Sequence, residues 1–558
     1  MVRNNTNQYD RRSFLRRAGA TGAVSVTAAI AGCSADDDEN GSDITAADPE
    51  DLGEPLPAVT YLNNPENYNP ARHDAINIVA EQLEDIGLEI DVEVLEWGTL
   101  LGQVTEDYEF GIATWSRGLG VDPATRLVEM FHSRNTPAGA GNFYGYEDDT
   151  VDELLDAQQQ EVDPDARREI WQDIQVDLAE DVPMTPIIEV AELMAYNNEN
   201  WDNFRGHIRG FNYLWTMMHL ENQDDDDELW GTWAEVLENL SPVSNVRTQT
   251  KVRVQNRMLY DYLVRFDDAV EADPSLSLAE DWEQVDDTTV DFHLRDHQWH
   301  DGEELTAEDV AFTYNFIKEN EFPAFAVQRS LYDDVEVIDE RTARLNLSQP
   351  VGPLHQILSA EIAILPQHIW EDIDNPLQEV IEEPVGSGVM ELDYWDRGEE
   401  ISLVRNDDHW IEMPFSRRLW QIIPEESTNW ELLRNGEIDY LPFSRVGRQL
   451  NENQEEPQIS IAETPSDSWW HFSMNLRNEP LGQLPVRQAM AHAIPKTAVR
   501  DQLQFGFGEI GTSVVTSAFE DLYNPDIPIY EEGVENGIEV MEEAGFLFDE
   551  DGRAHYPN

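Results

Sequence analysis

The side chains that carry most protein chemistry are plentiful in this sequence, but their spacing does not suit catalysis. Its 13 histidines are scattered. None falls in an H-E-x-x-H array, which would set two imidazoles and a carboxylate on one helix face around a zinc ion. His300-Asp301 resembles an acid–base pair, yet Gly302 follows it in what reads as a turn between a strand over residues 289–294 and a helix opened by the capping-box pattern Thr306-Ala307-Glu308-Asp309. No nucleophile lies nearby, so the pair reads as structural. Cys33 is the only cysteine, which excludes an intramolecular disulfide. The expectation is therefore no catalytic residue, no metal site and no cofactor, with a hydrolase kept as a remote alternative. What remains is chemistry for holding a guest. Trp469-Trp470 beside a strand offers either a stacking surface or core packing. Arg117, two residues after Trp115, could present its fork to a carboxylate or a polar sugar edge, against the plainer reading of a solvated charge.

Binding residues need a scaffold, and 558 residues exceed what one hydrophobic core usually organises, so two or more lobes are expected. Residues 1–33 read as an address. Asp10-Arg11-Arg12-Ser13-Phe14-Leu15 resembles a twin-arginine export signal, the apolar run over 18–31 is too short to span a bilayer, and Ile30-Ala31-Gly32-Cys33 resembles a lipobox that would leave Cys33 as a lipid-bearing N-terminus. Residues 34–53, rich in Asp, Ser, Gly and Glu, read as a flexible tether. Beyond it a strand over 57–62, a helix carrying Ile76, Val79, Ala80 and Leu83 and closed by Gly87, and an alternating strand through Ile90, Val92 and Val94 form a βαβ unit. Helices follow over about 148–159 and 163–179, the second opened by Asp163-Pro164. An acidic seam near 221–229 reads as a linker.

The charge balance is extreme, 114 acidic residues against 35 basic ones, and Lys251, Lys318 and Lys496 are the only lysines. Such a surface repels nucleic acid and anionic lipid. The acids are interleaved with 16 tryptophans and regular apolar patterning, which favours a folded protein over a disordered one. A fold carrying a net charge of −79 suits concentrated salt, where the Debye length is about 3 Å near 1 M.

Residues 276–282 (LSLAEDW), Phe292-His293-Leu294-Arg295-Asp296, Trp299-His300-Asp301-Gly302-Glu303 and Leu305 to Val310 together resemble the signature block of the family 5 solute-binding proteins. Pro384-Val385-Gly386-Ser387-Gly388, Asn435-Gly436-Glu437-Ile438-Asp439, residues 475–481 and Val486-Arg487-Gln488-Ala489 continue it in order. The resemblance implies a two-lobed α/β fold of the periplasmic-binding-protein type with a small extra domain on lobe I. It implies a monomer that delivers a peptide, oligosaccharide or metal complex to an ABC permease at the extracellular membrane face, with a sensory or adhesive lipoprotein as the alternative. Blocks that normally follow Glu542-Glu543-Ala544-Gly545-Phe546 stand instead at the start, so the chain resembles a circular permutant cut between Asn558 and about Glu54. Pro55 and Pro557 should then be neighbours. Lobe I would run over 183–472, and lobe II would combine 54–182 with 473–558. In oligopeptide-binding relatives the Trp matching Trp115 stacks on the ligand, and an Asp three residues later pairs with its amine; here that position is Gly118. The resemblance further points to Asn142, Tyr146 and Tyr260 as cleft residues, beside Arg117 and Trp470.

Overall fold

The computed structural model describes residues 44 and 46–557, apart from 209, 224–225, 235, 245–249 and 442–446. Cys33, Arg11 and Arg12, and with them the expected export signal and lipobox, lie outside the described residues.

The βαβ unit forms as its sequence dictates. Asn69 caps the helix Pro70–Asp85 by accepting from the Arg72 amide, Pro70 occupies the first turn, and Gly87 leaves the helix at φ +86°. Strands Val59–Asn63 and Ile90–Val94 pair in parallel. The second strand departs from expectation, because it lies at the sheet's edge and exposes Val92 and Val94 along with its acids. The helices Asp149–Gln160 and Pro164–Asp181 are capped by Asp148 and Asp163. The capping box at Thr306 and Asp309 opens the helix Ala307–Glu319.

Eleven strands join in one sheet. Its order is Met390–Asp396, Glu400–Arg405, Arg417–Ile422, Glu228–Trp233, Tyr440–Leu441, Met184–Asn197, Ile459–Met474, Ile112–Gly118, Val59–Asn63 and Ile90–Val94, with Glu509–Ile510 also paired to Met184–Asn197. The expected linker near 221–229 is tied into this architecture. Glu221–Asn222 pairs with Trp201–Asp202, and Glu228 opens a sheet strand in which Leu229 is buried.

Two long strands, Met184–Asn197 and Ile459–Met474, belong to both halves of the sheet. Ile459 to Pro465 pair with Asn197 to Ala191, Trp469 to Ser473 pair with Glu189 to Met184, and the register breaks between Pro465 and Trp469. Each side of the break has its own core. One gathers Trp201, Met258, Leu403 and Trp420, the other Leu62, Trp115, Phe143, Trp171 and Trp469. A separate four-stranded antiparallel sheet, in the order Tyr332–Asp339, Thr342–Leu347, Thr289–Leu294, Ala279–Asp286, packs around Phe292, Tyr314 and Leu345. The fold is two-lobed α/β, as the sequence implies. No helix among the described residues is long and apolar enough to cross a membrane.

The two ends of the described chain meet. Pro55 bridges His555, the Leu56 amide donates to the Ala554 carbonyl at 3.0 Å, and the Tyr556 amide donates to the Glu54 carbonyl at 2.9 Å. Ala46 bridges Phe548, so the expected tether is already anchored by that point; its backbone groups find partners on the C-terminal hairpin.

Candidate functional site

Strands Val59–Asn63 and Ile112–Gly118 run parallel, so Asn63 and Gly118 mark the same, carboxyl end of this half of the sheet. Ile459–Met474 runs antiparallel beside them and places Ser468 opposite Gly118. The carboxyl end therefore coincides with the register break, where the two long strands pass into the other half. In α/β sheets this is the edge at which a crevice forms.

Three groups of side chains converge there. Arg72, in the first turn of its helix, donates from Nε to Asn64 Oδ1 at 2.6 Å, and its guanidinium lies 4.5 Å from the Trp97 ring and 5.5 Å from that of Tyr68. Tyr68 and Trp97 stack on each other at 5.1 Å. Burial lowers the Arg72 pKa, with Tyr68 opposing the shift. Its second terminal nitrogen is buried without a hydrogen-bond partner.

On the neighbouring strands Trp115 meets the buried His471 edge-on at 4.4 Å and Phe143 at 5.2 Å. Burial, reinforced by the positive charges of Arg117 and Arg72, holds the His471 pKa far down, so the ring is neutral. Arg117 pairs with Glu129 at 2.6 Å, and Arg126 pairs with the other oxygen of the same carboxylate at 2.5 Å.

Third, Asp467, within the register break, accepts from the Gly120 amide at 2.5 Å. A Cβ on Gly118 would stand 3.0 Å from its Oδ2, so Asp467 fills the space that the missing side chain at 118 leaves. Past this loop, Asp122 and Arg167 form a buried bidentate pair with both contacts at 2.8 Å. They line a cavity of about 480 Å³ bounded on one side by residues 121–122, Pro164, 167–168 and 518–522, and on the other by 268–271 and Gln356 from the small-domain side. Val121 and Val270 pack against both the small-domain core and the core around Trp171.

The residues singled out in the sequence are distributed as follows. Trp115 and Arg117 share a strand, and Trp470 faces Ser116 on the adjoining one; both indoles are nearly buried. Asn142 is fully buried and spent on its own loop, donating to the Tyr146 carbonyl and accepting from the Gly145 and Tyr146 amides. Tyr146 donates to Asp181 at 2.7 Å. Tyr260 is fully buried in the other half's core. None of these six lines the 480 Å³ cavity. Arg72, Trp97 and Asp467 carry no motif that marks them in the sequence; the one local signal is the Asn69-Pro70 cap, which sets Arg72 in the first turn of a helix at a strand's end. His300 accepts from the Gly386 amide and bonds the Gly388 carbonyl, and Asp301 pairs with His368, which fits the structural reading of that turn.

One cluster has the composition of a metal site. Ligand atoms of Asp261, His297 and His409 lie within 4.8 Å of one another. The imidazole nitrogens that face Asp261 carry protons rather than lone pairs. His409 accepts the Ile411 amide on Nδ1, which puts its proton on Nε2 facing Asp261 at 3.4 Å. His297 Nε2 sits 2.7 Å from the Ser387 carbonyl and is protonated there. Arg265, 3.2 Å from Asp261, supplies the cation. Asp261 is held far below the usual carboxylate range by His409, Arg265 and His297 against the cost of burial. The cluster is a buried ionic knot without a free ligand set.

A bilobed α/β body whose divide carries buried guanidinium groups and packed aromatic rings has the architecture of a solute-binding protein. The family model described as Bacterial extracellular solute-binding proteins, family 5 Middle, matches residues 273–554, half of the chain, and the chain belongs to this family. It is 25% identical over 312 residues to the dipeptide-binding protein of Escherichia coli K12 (51% of this chain, 58% of that protein). It is also 25% identical over 317 residues to the oligopeptide-binding protein AppA of Bacillus subtilis (53% and 57%). The chain thus spans little more than half the length of these relatives. Among solved structures, NikZ from Campylobacter jejuni in complex with Ni(L-His) aligns with TM-score 0.46 and 21% identity over 60% of this chain and 66% of that one.

Proposed function

We propose that this chain is the substrate-binding component of an ABC importer, exported through the Arg11-Arg12 signal and held at the extracellular membrane face by a lipid on Cys33. It captures a peptide, or another small solute with a cationic amine, between its two halves and releases it chemically unchanged. The observation that carries the reading of the ligand is Asp467. The Asp that pairs with the amine in oligopeptide-binding relatives is Gly118 here, and Asp467 brings a carboxylate to within 3.0 Å of where a side chain at 118 would begin. A carboxylate at the end of a sheet, on strands that also carry Trp115, Trp469 and Trp470, suits a charged amine on an apolar body. Trp115, Arg117 and Trp470 shape that wall, Asn142 and Tyr146 fix the loop behind it, and Tyr260 supports the opposite half. The named relatives include dipeptide- and oligopeptide-binding proteins, which agrees with a peptide ligand.

The order of the blocks, together with the pairing of residues 54–56 to 554–556, supports a circular permutation that leaves the crevice intact. Thermal-shift screening in molar salt tests the reading with free-amine peptides, their N-acetylated counterparts, oligosaccharides and nickel–histidine. Free-amine peptides should stabilise, by about 2.7 kcal/mol at a hundred times the dissociation constant, and the acetylated ones should not. Stabilisation by oligosaccharides alone, or by nothing in the panel, refutes it.

A further inference from the structure

Lys496 is almost completely buried, although it is one of only three lysines in the chain. Its Nζ donates to the Gly511 carbonyl at 2.8 Å. Among the described residues no carboxylate oxygen comes within 4.0 Å of it. Glu532, whose charge it senses, is turned to Thr497 and accepts from that residue's amide and hydroxyl at 2.9 and 2.8 Å. Burial accordingly presses the ammonium pKa down to about 8. A buried cation with one hydrogen bond and no counter-charge is an arrangement that proteins rarely leave uncompensated.

Beside Lys496 lies a small cavity of about 30 Å³ at the root of the long strand Met184–Asn197, where Thr185 also contributes to the wall. Thr185 is buried, and its hydroxyl has no hydrogen-bond partner. The other polar side chains around the cavity are engaged. Ser513 donates to Gln175 at 2.8 Å, Tyr530 donates to the Ala179 carbonyl at 2.9 Å, and Thr512 bonds the Tyr523 hydroxyl at 2.9 Å. The remaining walls are aliphatic, from Leu178, Val182 and Val514 among others. The open valences are N–H groups of Lys496, which only donate, and the hydroxyl of Thr185, which is free to turn its proton toward an acceptor. Water there could accept from Lys496 and donate to the Thr185 oxygen but would leave the ammonium unbalanced, whereas an acceptor with negative charge takes a hydrogen bond from both groups and balances the ammonium.

We infer that this cavity is a binding site for one small monoatomic anion of the chloride class, held by Lys496 and Thr185 and fixing the base of the strand that crosses between the two halves. The cavity has room for a single particle of that size and excludes polyatomic anions such as gluconate or isethionate.

Crystals of the full chain soaked in sodium bromide, with diffraction recorded at the bromine edge, test the site directly. The expected result is an anomalous peak in hydrogen-bond reach of Lys496 Nζ; density there without anomalous signal identifies a water and overturns the inference. In solution, melting temperature at pH 7 is compared in sodium chloride, bromide and isethionate at equal molar ionic strength. The wild type should melt several degrees higher in the halides, and this halide-specific increment should vanish in Lys496→Met and in the nearly isosteric Thr185→Val. Equal melting of the wild type in halide and isethionate overturns the inference even if a bromide peak is seen in crystals. Retention of the full increment by a folded Thr185→Val removes the hydroxyl from the site and likewise counts against it.

Discussion

Gly352 provides a sharp test of how the two halves are held together. It lies on the small-domain side, and its amide donates at 2.9 Å to the carbonyl of Gln159, near the C-terminal end of the helix Asp149–Gln160. A helix end leaves its last carbonyls without partners, so the bond satisfies a group that would otherwise need water. A Cβ at 352 would stand 2.3 Å from the Glu161 carbonyl oxygen and 3.0 Å from that of Gln158. Both are backbone atoms that cannot swing aside, so Gly352→Ala must push the contact apart by roughly 1 Å, enough to forfeit the hydrogen bond and much of the adjoining dispersion energy. The loss falls only on a state in which residue 352 meets the end of this helix, the arrangement taken as closed. At about 1–2 kcal/mol it shifts the closing equilibrium by a factor of about 5–30. A ligand that binds the closed state then loses apparent affinity by the same factor, although residue 352 does not line the 480 Å³ cavity. Isothermal titration with the ligand from the screen reads the affinity, small-angle scattering with and without it reads the closure, and a thermal melt checks the fold. Wild-type affinity together with wild-type scattering in a folded Gly352→Ala protein refutes the idea that this contact latches the halves.

Asp467→Asn should weaken a free-amine peptide at least tenfold by titration, because a hydrogen bond to a charged group contributes about 1.5–3 kcal/mol, while the Gly120 amide keeps an acceptor. An unchanged affinity moves the amine elsewhere. His355 is half-buried against Trp282 and Phe292, and desolvation by this packing lowers its pKa to about 4. The unfolded chain takes up this proton near pH 6.5 and the folded one does not, so stability falls as pH drops from about 6.5 to 4, by about 3 kcal/mol in all. His355→Phe should raise the denaturation midpoint at pH 5 relative to wild type more than it does at pH 8; a pH-independent difference contradicts the assignment. With a net charge of −79, the far-ultraviolet melt should stay cooperative in molar potassium chloride and be lost on dialysis into dilute buffer. Identical melts in both would remove self-repulsion as a governing force.

The parts of this fold that were legible in the sequence are those fixed by local chemistry. Gly87 closes one helix, Asp163-Pro164 opens another, and Thr306 with Asp309 opens a third, because caps act over three or four residues. Edge and centre are another matter. The alternation Ile90, Val92, Val94 reads as one buried face, yet only the tertiary fold decides that this strand is last in the sheet and exposes two of those side chains. The acidic run near 221–229 reads as a linker because composition reports solvation, whereas pairing to Trp201–Asp202 depends on a segment twenty residues away. The buried knot of Asp261, Arg265, His297 and His409 joins residues up to 148 apart in sequence and leaves no periodic trace. The site suffers most. Trp115 was recognisable by its surroundings in sequence, but Asp467 is meaningful only once its strand is laid beside Gly118, and Arg72 only once its helix is set at the end of the parallel strands.

That difference bears on how such a crevice works. The two halves are not separate bodies on a loose linker, since Met184–Asn197 and Ile459–Met474 run unbroken through the divide. Rotation of one half against the other must therefore be taken up where their register fails, between Pro465 and Trp469. Asp467 lies inside that irregular stretch, and the partner strand carries Glu189, buried there and accepting from the Ser517 amide and hydroxyl. Burial raises the Glu189 pKa, against the pull of the two Ser517 hydrogen bonds. The groups that would grip a guest and the groups that must move when the halves close are thus the same few residues. On the proposed reading, a carboxylate for an amine at Asp467 rather than at position 118 would couple occupancy to the bend: a guest that held Asp467 would also hold the angle between the halves.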